Sequence, residues 1–459
     1  MSDLPRRAVT RSAKLASLPL GFAGRTALGV GKRTFGKPAE AVAMEIQQRT
    51  AEQLFKVLGE LKGGAMKLGQ MLSIFEAALP PEIAGPYRAT LTKLQEAAPP
   101  LPAAAVHKVL AEGLGEDWRD EFESFEDKPS AAASIGQVHK AVWKDGRQVA
   151  VKVQYPGAGK ALISDFNQLA RLGKLFGILM PGLDVKSMLA ELKERVIEEL
   201  DYTIEAESQT AMRAGFPADD PDFYVPEVVA QAGNVLVTEW IDGTPLSKII
   251  SDGSPDERDH AALLYCRFLL SGPKRAGMLH GDPHPGNFRL LADGRLGVLD
   301  FGAVDRIPEE FQYRMGRLLR IGTLEDIDEV EQALRDEDFI REGVEIDAES
   351  LQVFLAPITE PFVNETFKFN REWLRDMAAK VTDLRPTNVV RQLNLPPDYV
   401  IVHRVLSAGT GVLCQLECEI PARAESLAWV PGFADEDEEI AALDAALDAD
   451  PAEDDELAG

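Results

Sequence analysis

LHGDPHPGNFRLLADGRLGVLDFG, residues 279–302, places Asp282, Asn287 and Asp300 in one short stretch of chain. Phosphoryl transfer uses such groups, because a carboxylate must orient the acceptor oxygen while an amide oxygen and a second carboxylate hold a divalent metal ion. The residues after Asn287 predict a β-hairpin that turns at residues 292–294. A hairpin would bring Asn287 and Asp300 to one rim, where both could bind the same metal ion. The alternative is a turn-rich linker in which Asp, Asn and Pro only bend and cap the chain.

Length and composition indicate a globular protein of two or three domains, with 459 residues, 45% of them hydrophobic and 27% charged. The three cysteines, Cys266, Cys414 and Cys418, form neither a disulfide framework nor a metal-binding pattern, so we interpret them as core residues. The sequence predicts no secretory signal and no membrane span, since no apolar run reaches about 18 residues. We therefore expect a cytoplasmic protein.

The net charge of −26 is unevenly distributed along the chain. Residues 1–37 carry a charge of +7 and residues 435–459 carry −12, which leaves −21 on the rest. This acidic body argues against nucleic acid as the main partner, because phosphate backbones bind basic surfaces. The basic arm could contact anionic lipid, remain disordered or pack on the acidic body. The acidic tail is predicted to be disordered.

A stretch over residues 125–153 is predicted to be rich in β-strands, and its last strand, Gln148–Gln154, places Lys152 among valines. Burying a lysine on an apolar strand is costly unless the ammonium group is paired, and a phosphate oxygen and a carboxylate are its natural partners. A helix predicted over residues 186–213 contains Glu205, which is the expected carboxylate.

The segment ahead of Lys152 covers the phosphates in ordinary kinases, where it is rich in glycine. Here it is rich in alanine and therefore stiffer, because a Cβ atom restricts access to positive φ. The residues expected to contact a nucleotide in this loop are Ala131, Ala132, Ala133, Ser134, Gly136 and Gln137. A packing site for small residues is the alternative. Further along, Glu239 and Ile241 lie where a hinge would bind the adenine ring through backbone groups.

Residues 38–79 have the apolar spacing of an amphipathic helix. Lys67 and Gln70 are three residues apart and face the same way, while Gly69 permits the close approach of another backbone. Periodicity alone favours a solvated helix face for Lys67 and Gln70.

Taken in order, these motifs resemble those of the UbiB/AarF family of atypical kinases over roughly residues 40–430. The matching motifs are KxGQ at 67–70, the alanine-rich loop, the lysine of VAVK, ExD at 199–201, HGDxHPGN and LDFG. The resemblance implies an α+β, bilobal protein-kinase-like fold with an N-terminal helical extension that carries KxGQ. It also implies ATP and Mg²⁺ as cofactors. Lys152, held by Glu205, would orient the phosphates, Asp282 would orient the nucleophile, and Asn287 and Asp300 would bind the metal ion.

In this family the extension folds over the place where a protein substrate would otherwise enter. The resemblance therefore implies that Lys67, Gly69 and Gln70 meet Glu199 and Asp201 in the site, and no peptide substrate is expected. The family is associated with ATP hydrolysis and with isoprenoid-quinone or lipid metabolism at membranes. The expected partners are accordingly a lipid, a quinone precursor or the inner face of the cell membrane.

Some family members carry C-terminal membrane spans, where this chain has an acidic tail. Two other functions remain open, namely an ATP-gated scaffold or lipid chaperone, and a small-molecule phosphotransferase. The second arises because residues 280–282 also resemble the loop of antibiotic and choline phosphotransferases. The predicted domains are a basic arm (1–37), a helical extension (38–124), a small lobe with inserted helices (125–243), a mostly helical large lobe (244–430) and an acidic tail (431–459).

Overall fold

The computed structural model describes residues 100–133, 135–157, 159, 200–324, 326–381, 389 and 392–434. The chain divides into two compact units. The first runs to Ser208 and resumes over Glu227–Trp240, and the second consists of Gln209–Pro226 and the chain from Ile241 onward. Several predictions of the sequence analysis lie outside the described residues: the basic arm, the helix over 38–79 with Lys67, Gly69 and Gln70, Ser134, Glu199, and residues 435–459 of the acidic tail.

The described residues form ten α-helices and fourteen strands, which confirms the predicted α+β class. The helices are α1 (Ala103–Leu114), α2 (Tyr202–Gly215), α3 (Leu246–Asp252), α4 (Pro255–Ala276), α5 (Glu309–Gly322), α6 (Ile327–Asp336), α7 (Ala348–Thr359), α8 (Arg371–Val381), α9 (Val400–Leu416) and α10 (Ala422–Trp429). The longer strands are β1 (Phe122–Phe125), β3 (Gly136–Trp143), β4 (Gln148–Gln154), β6 (Val228–Ala232) and β7 (Val235–Glu239). The shorter strands are β2 (Ala131–Ala132), β5 (Phe223–Tyr224), β8 (Thr244–Pro245), β9 (Met278–His280), β10 (Phe288–Leu290), β11 (Leu296–Val298), β12 (Val304–Arg306), β13 (Phe367–Lys368) and β14 (Glu419–Ile420).

The first unit is built on an antiparallel sheet in the order β1-β3-β4-β7-β6, with β2 added beside β3. Strand β4 alternates as predicted, so that every second side chain points to the same face of the sheet. Val149, Val151 and Val153 are fully buried on the face that packs against α1. Lys152 therefore belongs to the opposite face, where a separate small cluster forms around Ile135, Tyr202, Ala206 and Leu236.

In the second unit, the long helix α4 leads into residues 279–302, the stretch that carries Asp282, Asn287 and Asp300. Its first turn is fixed by a capping box, in which the Ser254 hydroxyl accepts from the Glu257 N–H and the Glu257 carboxylate accepts from the Ser254 N–H. It ends at Gly277, which adopts a left-handed conformation with φ of 66°. The chain then enters β9 directly, so the end of α4 determines where the following loop begins.

Buried aromatic rings connect α4 to the strands that follow it. Phe268 on α4 lies 5.4 Å from Phe223 and 6.0 Å from Phe288, measured between ring centroids. The His280 ring lies 5.3 Å from the Phe301 ring. Ring pairs at these distances are favourable beyond the area they bury. This aromatic core holds β9 and β10 against α4.

Helix α9 belongs to the one described stretch, Pro397–Leu416, that is long and apolar enough to cross a membrane. Of that stretch, 56% is buried within the protein. Gly409 lets α9 approach α4, because a Cβ atom there would lie 2.8 Å from Leu269 Cδ1. In this structure α9 is thus a core helix of the second unit.

The three cysteines have the character of core residues. Cys414 and Cys418 are fully buried, whereas Cys266 is half-buried. Burial raises the pKa of both Cys266 and Cys414 to about 12, and it also raises the pKa of Cys418. All three side chains are therefore protonated thiols at neutral pH.

Candidate functional site

Lys152 and Glu205 form a nearly buried ion pair in the first unit. Lys152 Nζ lies 2.8 Å from Glu205 Oε1 and 2.9 Å from Oε2. The two side chains are only 12% and 4% exposed. The predicted partner of Lys152 is therefore confirmed, while the catalytic role of the pair remains a prediction.

Tyr202 lies beside this ion pair. Lys152 Nζ lies 5.2 Å from the centroid of the Tyr202 ring, a distance at which a cation is attracted to the ring face. Tyr202 and Glu205 are three residues apart on α2, so both project from the same side of the helix. Tyr202 was not among the predicted site residues, although its spacing of three residues from Glu205 was a usable signal.

Asp201 immediately precedes α2 and caps it. Its Oδ1 accepts a hydrogen bond of 2.9 Å from the Thr203 N–H, in the manner of an N-cap residue. This cap fixes the first turn of the helix, and therefore the place from which Glu205 projects. The predicted contacts of Asp201 with Lys67 and Gln70 involve residues outside the described part of the chain.

The alanine-rich loop is a tight hairpin between β2 and β3. Ala131 and Ala132 pair with Val138 and Gln137 and are exposed. The hairpin is closed by the Ala133 N–H, which donates to the Gly136 carbonyl at 3.0 Å. Glycine is needed at 136 because a Cβ atom there would collide with the Val153 carbonyl oxygen. The loop presents alanine methyl groups to solvent, and its contact with a nucleotide remains a prediction.

The structure places the Gln137 side chain in the core, with 1% exposure. Its Oε1 accepts from the Leu101 N–H at 2.7 Å, and its Nε2 donates to His139 Nε2 at 2.8 Å. His139 Nδ1 in turn donates to the Glu126 carbonyl at 2.8 Å. Gln137 thus joins the entrance of α1 to the base of the alanine-rich hairpin, a contact that spans 36 residues and has no local sequence signal.

The predicted hinge coincides with the point where the chain passes from the first unit to the second. Glu239 is the last residue of β7, and its N–H donates to the Glu227 carbonyl at 3.0 Å. The Glu239 carboxylate also accepts from the Glu227 N–H at 2.9 Å. Ile241 is the first residue of the second unit in this part of the chain and is 7% exposed. Adenine binding by this segment remains a prediction.

In the second unit, the hairpin predicted between Asn287 and Asp300 is present. Strands β10 and β11 pair antiparallel, with Phe288 opposite Val298. At the open end of the hairpin, the Leu299 N–H donates to the Asn287 carbonyl at 2.7 Å. Asn287 and Asp300 therefore flank the same end of the hairpin, as the sequence predicted.

Asp300 has an unusual backbone conformation. Its φ is +58°, in the left-handed region that residues other than glycine seldom adopt, although Asp and Asn tolerate it best. The Asp300 Oδ1 also accepts from the Gly302 N–H at 3.3 Å. This turn redirects the chain one residue after β11 ends, so that the Asp300 carboxylate lies close to the strand end.

Asn287 also contacts the backbone of Asp282. The Asn287 Nδ2 donates to the Asp282 carbonyl at 3.1 Å, which leaves the amide oxygen as the atom available for a metal ion. Among the described residues there is no group of three His, Cys, Asp or Glu side chains that could hold a metal ion. An amide oxygen and a carboxylate nonetheless fit Mg²⁺, which prefers oxygen ligands and completes its shell with phosphate oxygens and water.

His280 precedes Asp282 by two residues and is buried, with 1% of its surface exposed. Its Nε2 donates to the Leu299 carbonyl at 3.3 Å. Burial lowers the pKa of His280, although the nearby charges of Asp282 and Asp300 act in the opposite direction. The imidazole is therefore neutral at pH 7 and serves as a hydrogen-bond donor to the strand that precedes Asp300.

We expect the protein to lose stability when the pH falls below about 6.5, the pKa of histidine in the unfolded chain. Below this pH, His280 binds a proton in the unfolded chain but not in the folded protein. The free energy of unfolding therefore decreases by up to about 1.4 kcal/mol per pH unit. His139 and His403 contribute with the same sign, because burial lowers their pKa values too. Urea denaturation at pH 7.5 and pH 5.5 measures the effect. In His280→Phe the difference between the two pH values should shrink, and an unchanged difference would contradict the assignment.

Comparison with known proteins places these features in a family. Residues 93–334 match the family model described as the ABC1 atypical kinase-like domain. A Caenorhabditis elegans protein named "Atypical kinase coq-8, mitochondrial" is 30% identical over 88% of this chain and 55% of its own length. This chain thus spans about half of that relative. "Atypical kinase COQ8B, mitochondrial" from Rattus norvegicus is 30% identical over 92% of this chain and 80% of its own length.

A solved structure, titled the complex structure of Rv3197-erythromycin from Mycobacterium tuberculosis, is 44% identical to this chain. It aligns with a TM-score of 0.67 and covers 87% of this chain and 100% of its own. The structural match and the family match agree with the two-unit α+β architecture, which is kinase-like. The chain belongs to the ABC1 atypical kinase-like family, the group that includes the COQ8 and UbiB proteins.

Proposed function

We propose that this protein is an atypical kinase or ATPase that binds Mg-ATP. It either hydrolyses the nucleotide or transfers the terminal phosphate to a small or lipid-like acceptor. The observation that carries the proposal is the β10–β11 hairpin, which brings Asn287 and Asp300 to one end while Asn287 also contacts the backbone of Asp282. This combination supplies an oxygen ligand set and a separate carboxylate, as phosphoryl transfer requires.

Each residue has a distinct task in this mechanism. Lys152, held by Glu205, binds phosphate oxygens and keeps them oriented. Asp282 orients the attacking hydroxyl or water and accepts its proton as the new P–O bond forms and the bond to the leaving ADP oxygen breaks. Asn287 and Asp300 would hold Mg²⁺, which neutralises the charge that develops on the phosphate oxygens when it is bound.

The purified protein should therefore release phosphate from ATP in the presence of Mg²⁺ and stop when EDTA removes the metal. Without Mg²⁺ the phosphate charges are not neutralised, and a loss of at least about 100-fold in rate is expected. Release of labelled phosphate from ATP measures the rate, and readdition of Mg²⁺ is the control for reversibility. ATP binding without any phosphate release would instead favour the ATP-gated scaffold or lipid chaperone.

The acceptor is proposed to be water or a lipid-like molecule such as a quinone precursor, at the inner face of the cell membrane. The supporting observation is the similarity to relatives that are named atypical kinases. Those relatives are described as mitochondrial, which is a statement about them alone. A peptide acceptor is not expected, because the resemblance implies that a KxGQ extension covers the place where a peptide would enter.

A second candidate is favoured by the relative solved with erythromycin. In this alternative the protein binds a macrolide or another bulky apolar compound and phosphorylates one of its hydroxyl groups. The phosphate-release experiment distinguishes the two candidates when it is repeated with erythromycin present. Labelled phosphate recovered on the macrolide would favour the second candidate, whereas labelled phosphate recovered only as the inorganic ion would favour hydrolysis.

A further inference from the structure

Three consecutive backbone carbonyls around Asp282 each accept a hydrogen bond from a side chain. In residues 281–283, the first carbonyl accepts from Arg404 Nη2 at 3.4 Å and the second from Asn287 Nδ2 at 3.1 Å. The third accepts from the Tyr265 hydroxyl at 2.6 Å. These donors come from α9, from the turn that follows the loop, and from α4. Three separate parts of the second unit therefore converge on the backbone that carries one carboxylate.

Restraint of these carbonyls limits the motion of Asp282. A peptide unit is planar, so a hydrogen bond to its carbonyl fixes the orientation of the whole plane. The first two planes flank the Cα of Asp282 and together set its φ and ψ. The third plane follows Pro283, whose ring fixes its own φ near −65°. With both flanking planes held, the direction of the Asp282 Cα–Cβ bond is determined before any substrate binds.

Tyr265 makes the shortest of the three contacts and is fully buried. Its ring packs at 4.9 Å from the ring of Phe288, at the start of β10. Gly409 of α9 lies close to the hydroxyl end of Tyr265, since a Cβ atom at position 409 would lie 3.8 Å from the Tyr265 oxygen. Burial raises the pKa of Tyr265 well above its usual value, and the charge of Asp282 raises it further. The hydroxyl is therefore a hydrogen-bond donor at neutral pH.

We propose that Tyr265 is a positioning residue for Asp282, with Arg404 as a second support on the other side. The inference rests on the proposed function, in which Asp282 orients the nucleophile. Tyr265 does not touch the substrate. It acts through the Pro283 carbonyl, one peptide plane beyond Asp282, and together with Arg404 and Asn287 it keeps the carboxylate at the position from which it can reach the attacking oxygen.

The test compares two tyrosines of the second unit that each donate one hydrogen bond. Tyr265→Phe removes the hydroxyl that binds Pro283 and keeps the ring. Tyr399→Phe removes a hydroxyl that binds Glu337 at 2.9 Å, far along the chain from Asp282. In Tyr265→Phe we expect kcat for ATP turnover to fall about tenfold with KM for ATP unchanged, because a small displacement of a catalytic group strongly lowers the rate. Tyr399→Phe should keep kcat within about twofold.

A second measurement does not depend on turnover. Hydrogen–deuterium exchange of peptides that cover residues 279–290 should be faster in Tyr265→Phe than in the wild type, and unchanged in Tyr399→Phe. Arg404→Lys retains a cationic donor and should show a smaller effect than Arg404→Met in both measurements. Equal exchange and equal kcat in Tyr265→Phe and the wild type would overturn the proposal, and so would equal losses in the two tyrosine variants.

The two proposals can fail separately. Absence of phosphate release from ATP by the wild-type protein would rule out the proposed function. In that case the exchange measurement still decides whether Tyr265 holds the Asp282 backbone, since faster exchange confined to residues 279–290 supports the contact and unchanged exchange overturns it.

Discussion

ATP turnover in Asp282→Asn is expected to fall by at least about 100-fold, because an amide of the same shape cannot accept the proton of the nucleophile. Asp300→Asn should show a loss of similar size, because the metal ion loses its charged ligand. Both variants should fold normally. Asn is also one of the few residues that tolerate the left-handed φ of +58° at position 300. The measurement is the rate of phosphate release at saturating Mg-ATP, with thermal unfolding as the check on folding.

Asp293→Asn is the matched control for these two variants. Asp293 lies in the turn of the same hairpin, where its carboxylate binds Arg295 and its side chain is 51% exposed. The substitution makes the same chemical change at the far end of the hairpin, so turnover should stay within about twofold of the wild type. Full turnover in both Asp282→Asn and Asp300→Asn would rule out the proposed roles.

We expect the double variant of Lys152 and Glu205 to recover stability without recovering the binding of Mg-ATP. Lys152→Met or Glu205→Leu alone leaves a buried charge without its partner, and each should lower the free energy of unfolding by about 3–5 kcal/mol. The double variant replaces both charges by apolar side chains and should recover much of that loss. Binding of Mg-ATP should not recover, because the ammonium group that binds the phosphates is still missing. Urea denaturation and isothermal titration calorimetry measure the two effects.

An exposed ion pair of the same unit serves as the control. Lys108 and Glu112 lie one turn apart on α1, 3.6 Å from each other, with side chains 76% and 62% exposed. Substitution of either should change stability by only about 0.3–0.5 kcal/mol and leave ATP binding unchanged. If the double variant of Lys152 and Glu205 regained affinity for ATP together with stability, the pair would be a structural ion pair only.

The features that sequence predicted well are those with a local signal. The alternation of valines along β4 predicted a strand that carries Lys152, and a turn sequence marked the hairpin that joins Asn287 to Asp300. The pairing of Lys152 with Glu205 spans 53 residues, and its prediction came from the lysine–glutamate pair of ordinary kinases together with the high cost of an unpaired buried charge.

The features that sequence could not predict arise from contacts between distant residues. The Gln137 side chain is buried and bound to Leu101 and His139, a role that no local pattern indicated, while its contact with a nucleotide remains a prediction. In the sequence, Tyr265 cannot be distinguished from other apolar positions of an amphipathic helix, because its hydrogen bond forms only when α4, α9 and the loop after β9 pack together. Asp201 was read as part of a family motif, whereas its visible contact is a helix cap. For Gln137 and Tyr265, a hydrogen bond set by tertiary packing decides the role, whereas the cap at Asp201 is a local contact that residue type alone could have indicated.

The raised pKa values of the three thiols have a practical consequence. A protonated thiol reacts slowly with maleimides and iodoacetamides, because the thiolate is the nucleophile. The wild-type chain should therefore carry little background label at neutral pH. A cysteine introduced at an exposed position would then be the main attachment point for a fluorophore or spin label. Distances and motions in each unit could be followed without first removing Cys266, Cys414 or Cys418 from the core they help to fill.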